Sequence, residues 1–184
     1  MKATALRLPS SAALLAALVL SPGIASAADH FKAEASFAGS DASGCVSQRV
    51  FVFVKDKKAF ATVEKFDYCQ EKQLLYAIAR NVNLKGGGLV VDKTLGSATL
   101  NAQVEFIDKL KGNKKTATLQ VTWSAVGDPV TVDGVNDVDE PGKKGSRVLR
   151  KTSRLAAAQG AIVLDNQTID LGQAEDAVIV LAQT

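Results

Sequence analysis

The acidic segment GDPVTVDGVNDVDEPG holds the residues of this sequence that come nearest to a metal-binding set. Asp133, Asp137, Asp139 and Glu140 follow one another closely, and carboxylate oxygens are the ligands that calcium prefers. The spacing differs from an EF-hand loop, because a glycine follows the first aspartate directly and no glutamate stands at the twelfth position. The segment predicts a weak calcium site or, as the alternative, a solvated acidic loop.

The same acids permit a second chemistry, that of a carboxylate-based hydrolase. Two carboxylates between Asp128 and Glu140 would act as general acid and base if they faced each other across a cleft. His30 is the only histidine of the chain, so a catalytic triad or a histidine metal site would have to use it. We expect His30 to be an incidental surface residue in a mobile chain end. Composition thus favours a non-enzymatic protein. No cofactor is expected, and calcium is the only candidate for one.

The two cysteines, Cys45 and Cys69, are predicted to form a disulfide, since this is the usual fate of a lone pair in an exported chain. The flanking segments CVSQRVFVFV and AFATVEKFDYC are rich in β-forming residues, and the polar run KDKK between them predicts a hairpin turn. A turn centred on Lys57 places the two thiols opposite each other on antiparallel strands. We expect a structural disulfide.

Alternating polar and apolar residues predict strands over 98–108 and around 117–123, with Trp123 on the buried side. Less regular strand patterns occur at FKAEASFA, KQLLYAIARNV, GLVVD and DAVIVLAQ, and the glycines 86–88 predict a flexible turn. The sequence therefore predicts an all-β fold, an antiparallel β-sandwich or small barrel of roughly eight to nine strands with one disulfide.

The segment SRVLRKTSRLAAAQG fits two structures. Ser146 and Gly160 would begin and end a helix, whereas the alternation towards LDNQ favours a strand, which we prefer. The six cations of 143–154 would form one patch on a helix, but a strand puts Arg150 and Arg154 on one face and other cations on the opposite face. A solvated, charged edge strand is preferred over a contact for an acidic polymer.

The chain begins with features of a secretory signal peptide. Lys2 and Arg7 precede the apolar run AALLAALVL, and Ala-Ser-Ala ending at Ala27 fits signal peptidase cleavage. We expect 1–27 to be a signal peptide and 28–184 a single β-rich domain, secreted or periplasmic. No cysteine follows the apolar run closely and no later apolar run is long, so neither a lipid anchor nor a membrane span is expected.

The charge balance gives no reason to expect nucleic acid as a partner. The chain has 22 basic and 19 acidic residues, a net charge of +3, and loss of the two basic residues in the signal peptide leaves 20 − 19 = +1. Nucleic-acid affinity depends on an excess of cations that neutralise phosphates. Partner and oligomeric state are otherwise open.

The succession of GCVSQRVFVFV, DYC, SATLNAQVEF, TLQVTWSAVGD and SRLAAAQGAIVLDNQTI resembles a group of uncharacterised exported bacterial proteins with a single β-rich domain. This resemblance implies a fold and no catalytic or binding residue. The function expected from the sequence is an exported non-enzymatic β-sandwich module that binds a ligand or serves as a structural or surface protein. The carboxylate-based hydrolase and the weak calcium-binding domain remain as alternatives.

Overall fold

A computed structural model describes residues 29–140, 143–164 and 166–183, with side chains outside 135–148. These residues form strands and turns, and the described part of the chain contains no helix. The eleven strands are β1 (Asp29–Ser40), β2 (Val46–Lys55), β3 (Lys58–Asp67), β4 (Lys72–Asn83), β5 (Lys85–Val91), β6 (Ser97–Asp108), β7 (Lys114–Ala125), β8 (Val130–Glu140), β9 (Lys143–Leu164), β10 (Gln167–Gln173) and β11 (Asp176–Gln183). The predicted all-β class is confirmed, with more strands than expected.

Eight of the strands close into a ring in which each is hydrogen-bonded to two ring neighbours. The order around the ring is β9, β11, β1, β2, β3, β4, β6, β7 and back to β9, and every pairing is antiparallel. The other three strands each pair with one ring strand: β5 with β6, and both β8 and β10 with β9. The antiparallel sheet predicted from the sequence is therefore confirmed.

The long strand β9 organises this closure. Its first part pairs with β8 on one edge and β11 on the other, and its second part pairs with β7 and β10. Ala125 of β7 pairs with Ala156 of β9, and Val130 of β8 pairs with Ser153 of β9. The strands β7 and β8 therefore follow each other along the same edge of β9. The helix considered for this segment is wrong, since neighbouring strands on both edges satisfy its backbone groups.

One hydrophobic core fills the ring. The predicted alternation of β6 and β7 is confirmed, because every second side chain of these strands is buried, namely Ala98, Leu100, Ala102, Val104 and Phe106 of β6 and Ala117, Leu119, Val121 and Trp123 of β7. Trp123 is fully buried, and its Nε1 donates a hydrogen bond of 2.9 Å to the carbonyl oxygen of Glu34 on β1. The only tryptophan is thus a core residue, as predicted.

The glycines 86–88 lie within β5, so the flexible turn predicted there is wrong. A Cβ atom at Gly87 would overlap the carbonyl oxygen of Asn101 on the neighbouring strand β6. The absence of a side chain is what permits this close approach of the two backbones.

Candidate functional site

The Cys45–Cys69 disulfide predicted from the sequence is present, with the two Cα atoms 5.3 Å apart. The turn centred on Lys57 is wrong, because β2 and β3 are joined by the two-residue turn 56–57. Asp56 takes a positive φ of 52° there, as two-residue hairpin turns require of their first residue. The disulfide therefore links positions that are offset by one residue rather than directly opposite.

The acidic segment predicted as a candidate calcium loop forms strand β8, so a loop at 130–140 is wrong. Asp133 accepts two hydrogen bonds from Arg150 on β9, with 2.9 Å from Nε to Oδ1 and 3.1 Å from Nη2 to Oδ2. This guanidinium holds the pKa of Asp133 below its usual range, and the carboxylate raises the pKa of Arg150. A calcium ion would have to displace Arg150 to reach the Asp133 carboxylate.

The other candidate ligands, Asp137, Asp139 and Glu140, also belong to β8. Their backbone partners on β9 are Ser146, Lys144 and Lys143. Their side chains lie outside the described residues, and among the side chains that are described no group of three metal-ligating residues comes together. The calcium site and the hydrolase between Asp128 and Glu140 stay predictions.

The basic segment is part of β9, and the prediction that it forms an edge strand is wrong over 150–153, where β8 and β11 cover both edges. Arg150 and Arg154 share one face of the strand, as predicted, with Arg150 paired to an acid of β8. The Arg154 Nε donates a hydrogen bond of 2.7 Å to the carbonyl oxygen of Gly127. Arg150 therefore joins β9 to β8, and Arg154 joins β9 to the loop between β7 and β8.

Several aspartates have a structural role that the sequence analysis missed. Their carboxylates accept hydrogen bonds from backbone N–H groups of the turns that they begin, as in Asp41, Asp67, Asp92 and Asp108. The pKa of Asp41 is lowered chiefly by the backbone N–H of Val46, and that of Asp92 chiefly by the Thr94 hydroxyl. An aspartate followed within four positions by Gly, Ser or Thr, as at Asp41, Asp92 and Asp108, is the sequence signal for such turns.

His30 belongs to β1 rather than to a mobile chain end, so that part of the prediction is wrong. Its ring Nδ1 lies 3.1 Å from Oδ2 of Asp56. Oδ1 of Asp56 accepts a hydrogen bond of 3.2 Å from the backbone N–H of Phe31. Through these contacts, the turn 56–57 is hydrogen-bonded to the first residues of β1.

A cleft of about 860 Å³ lies beside this turn, on the outer surface of β2, β3 and β4. Phe53 and Phe60 give it apolar walls, and the ring of Phe60 meets that of Phe51 edge to face with centroids 5.9 Å apart. A register shift in β4 sets two residues opposite Phe60, one of which is Asn81 with a positive φ of 51°. Such a bulge bends the strand locally.

Cations line the same cleft. Its polar residues include Lys55, Lys57, Lys58 and Arg80, and its one acidic residue is Asp56. Among the described side chains, no carboxylate lies within 4.0 Å of the nitrogens of these four cations. The carboxylate of Asp56 contacts β1 instead. The cleft is thus apolar within and basic at its margin.

A second depression of about 710 Å³ lies on the outer surface of β6, β7, β9 and β10. It is lined by polar residues such as Asn101, Gln120 and Gln159, and its floor is formed at Gly160. A Cβ atom at Gly160 would overlap the carbonyl oxygen of Gln120. This glycine is therefore explained by the close approach of β7 and β9, and the polar depression is an ordinary solvated sheet surface.

No family model, curated protein or solved structure matches this chain. In the described part of the chain, no helix has the length and apolar character needed to cross a membrane.

The aromatic cleft was missed in the sequence, although RVFVFVK contains a signal for it. Val50, Val52 and Val54 are buried in the core, while Phe51 and Phe53 lie on the opposite face. A half-buried strand ordinarily carries polar residues on its outer face. A strand that is apolar on both faces indicates that its outer face also has something to contact.

Proposed function

We propose that this protein is an exported, non-enzymatic binding module whose ligand places an apolar group in the cleft between Phe53 and Phe60. The observation that carries this proposal is the aromatic wall on the outside of a sheet whose core is already complete on the inside. The volume of about 860 Å³ falls in the range of small-molecule sites.

The energetics favour occupation of the cleft. Phe53 and Phe60 are half-buried in the free protein, so each still exposes ring surface that a ligand would remove from water. Burial of apolar surface contributes roughly 25 cal/mol per Å². The edge-to-face contact with Phe51 holds the Phe60 ring in place, so little side-chain entropy is lost when a ligand binds.

Export is supported by the predicted signal peptide 1–27 and by the disulfide, a bond typical of oxidising compartments. The mature protein is expected to begin at Ala28 and to be secreted or periplasmic. Amino-terminal sequencing of the protein isolated from outside the cytoplasm tests this step. An intact Met1 in that material would contradict cleavage.

The binding site is tested with a neutral probe, N-phenylnaphthylamine, whose fluorescence rises in apolar surroundings. Binding to the purified protein is expected, and Phe53→Ala together with Phe60→Ala is expected to weaken it by about tenfold or more, since truncation of aromatic contacts commonly costs over 1 kcal/mol. Phe66→Ala is the matched control, because Phe66 contacts Tyr68 at the other end of β3 and does not line the cleft.

The outcome of this comparison is decisive for the site. Equal binding by the wild-type protein and the double variant would contradict the cleft as the binding site. Equal losses in the double variant and in Phe66→Ala would also contradict it, because they would show a general effect on the fold. Far-UV circular dichroism and melting curves establish that each variant is folded.

A further inference from the structure

The lysines at the margin of the cleft form a row across three strands. Lys32 of β1 is the register partner of Lys55 of β2, which is in turn the register partner of Lys58 of β3. Neighbouring strands lie about 4.8 Å apart, and like charges directly opposite one another destabilise a sheet. Lys57 of the turn and Arg80 of β4 add two more cations beside this row.

Two acids lie near this row, Glu34 of β1 and Asp56 of the turn, and among the described side chains neither forms an ion pair with its lysines. Asp56, the one acid that lines the cleft, directs its carboxylate to His30 and to the backbone N–H of Phe31. The Nζ of Lys32 lies 5.8 Å from the centre of the Phe53 ring, so this cation stands over the aromatic wall. The described part of the molecule thus concentrates positive charge directly above an apolar surface.

We infer that the ligand of the cleft is an anionic single-chain amphiphile, with its apolar part against Phe53 and Phe60 and its carboxylate or phosphate among Lys55, Lys57 and Lys58. This inference rests on the proposed function and adds the class of ligand to it. An anionic group would relieve the repulsion within the lysine row and form charge-assisted hydrogen bonds with the ammonium groups. A neutral ligand would leave this repulsion in place.

The shape of the site favours a single dissolved molecule over a lipid bilayer. Phe53 and Phe60 are half-buried walls of a concave cleft, whereas a bilayer is entered by apolar side chains that protrude. The residues at the tip of the hairpin are instead the polar Asp56 and Lys57, both exposed. The hairpin therefore has no apolar tip to insert among acyl chains.

Selectivity is tested by titrating the purified protein with three amphiphiles of equal chain length below their micellar concentrations: dodecanoate, dodecyl phosphate and dodecyltrimethylammonium. The two anions are expected to bind and to displace N-phenylnaphthylamine, with affinity that falls as the salt concentration rises. The cation is expected to bind about tenfold more weakly or not at all. Equal binding of the cationic and anionic compounds would overturn the inference.

Charge removal locates the head-group contacts. Lys55→Gln together with Lys58→Gln is expected to weaken dodecyl phosphate binding by about tenfold while binding of the neutral probe is kept. Lys93→Gln together with Lys109→Gln is the matched control, since it removes the same charge from exposed residues that do not line the cleft. Equal effects of the two double variants would overturn the contact between head group and lysine row.

The two proposals fail in different ways. If the wild-type protein binds neither the neutral probe nor the anionic amphiphiles, both the cleft as a binding site and the anionic class of its ligand are refuted. Binding of the neutral probe in a Phe-dependent manner without anion selectivity would refute only the anionic ligand. Co-sedimentation with phosphatidylglycerol vesicles, without binding of dissolved dodecyl phosphate, would overturn the inference in favour of a membrane surface.

Discussion

Replacement of both cysteines by serine is expected to lower the free energy of unfolding by about 3.5 kcal/mol. Cys45 and Cys69 are separated by 24 positions, and the chain-entropy relation gives about 11.6 cal/mol/K for a closed loop of that length, or about 3.5 kcal/mol at room temperature. The physical reason is that the disulfide restricts the unfolded chain, in which the ends of this loop would otherwise separate.

Urea unfolding followed by fluorescence measures this loss. Trp123 is the only tryptophan and is fully buried, so its emission reports exposure of the core. With a urea slope of about 2 kcal/mol/M, the midpoint is expected to fall by roughly 1.7 M. Wild-type protein unfolded in the presence of a reductant is expected to match the double serine variant.

A midpoint within about 0.5 M of the oxidised wild type would refute the entropic argument, since it corresponds to only about 1 kcal/mol. A much larger loss, with no cooperative transition left, would also refute it, because neither cysteine belongs to the hydrophobic core of the ring. Mass spectrometry without reductant provides the accompanying check that both thiols are linked within one chain.

Three other perturbations test the fold. Trp123→Phe removes the indole hydrogen bond to the part-buried carbonyl of Glu34 and is expected to cost about 1 to 3 kcal/mol in urea unfolding followed by circular dichroism, since this variant has no tryptophan; an unchanged midpoint would contradict that bond. Gly160→Ala is expected to cost about 1 to 3 kcal/mol through backbone overlap, whereas Gly39→Ala, which has open surroundings, should be neutral; equal effects would refute the overlap. Because the Thr94 hydroxyl and backbone donors lower the pKa of Asp92 below 3.8, this carboxylate stabilises the fold above that pH and its contribution is lost as the pH falls through the folded pKa. Melting temperature should therefore drop below about pH 4, and a rise there would contradict the assignment.

The strands of the core were predictable from residues that alternate in a regular way. β6 and β7 carry small or branched apolar residues at every second position and Thr, Asn or Gln between them, so burial on one face alone determines their period. The disulfide was predictable for a comparable local reason, since two β-rich segments meet at one short polar turn. The error of one residue in the register arose because a two-residue turn and a three-residue turn share the same polar composition.

Other elements depended on partners far away in the sequence. β8 contains three Asp, one Asn and one Gly, residues typical of loops, and becomes a strand because β9 offers it a complete set of backbone partners. β9 itself depends on four different strands along its two edges. The sequence of 86–88 likewise does not reveal that Gly87 lies against the backbone of β6.

The candidate site was not predictable as a site, because it combines three strands and a bulge. Phe53, Phe60 and Arg80 are brought together only by the registers of β2, β3 and β4 and by the irregularity at Asn81. The lysine row follows from two registers in the same way. Only the apolar character of both faces of β2 was visible beforehand.

The location of ligand binding is tested most directly by recording amide chemical shifts of the labelled protein during titration with N-phenylnaphthylamine. We expect the largest shifts from Phe53, Phe60 and Asn81, which line the cleft. The amides of Gln120 and Gln159, in the polar depression, should stay unchanged. Shifts concentrated in that depression, or none at the cleft at saturation, would contradict ligand binding between Phe53 and Phe60.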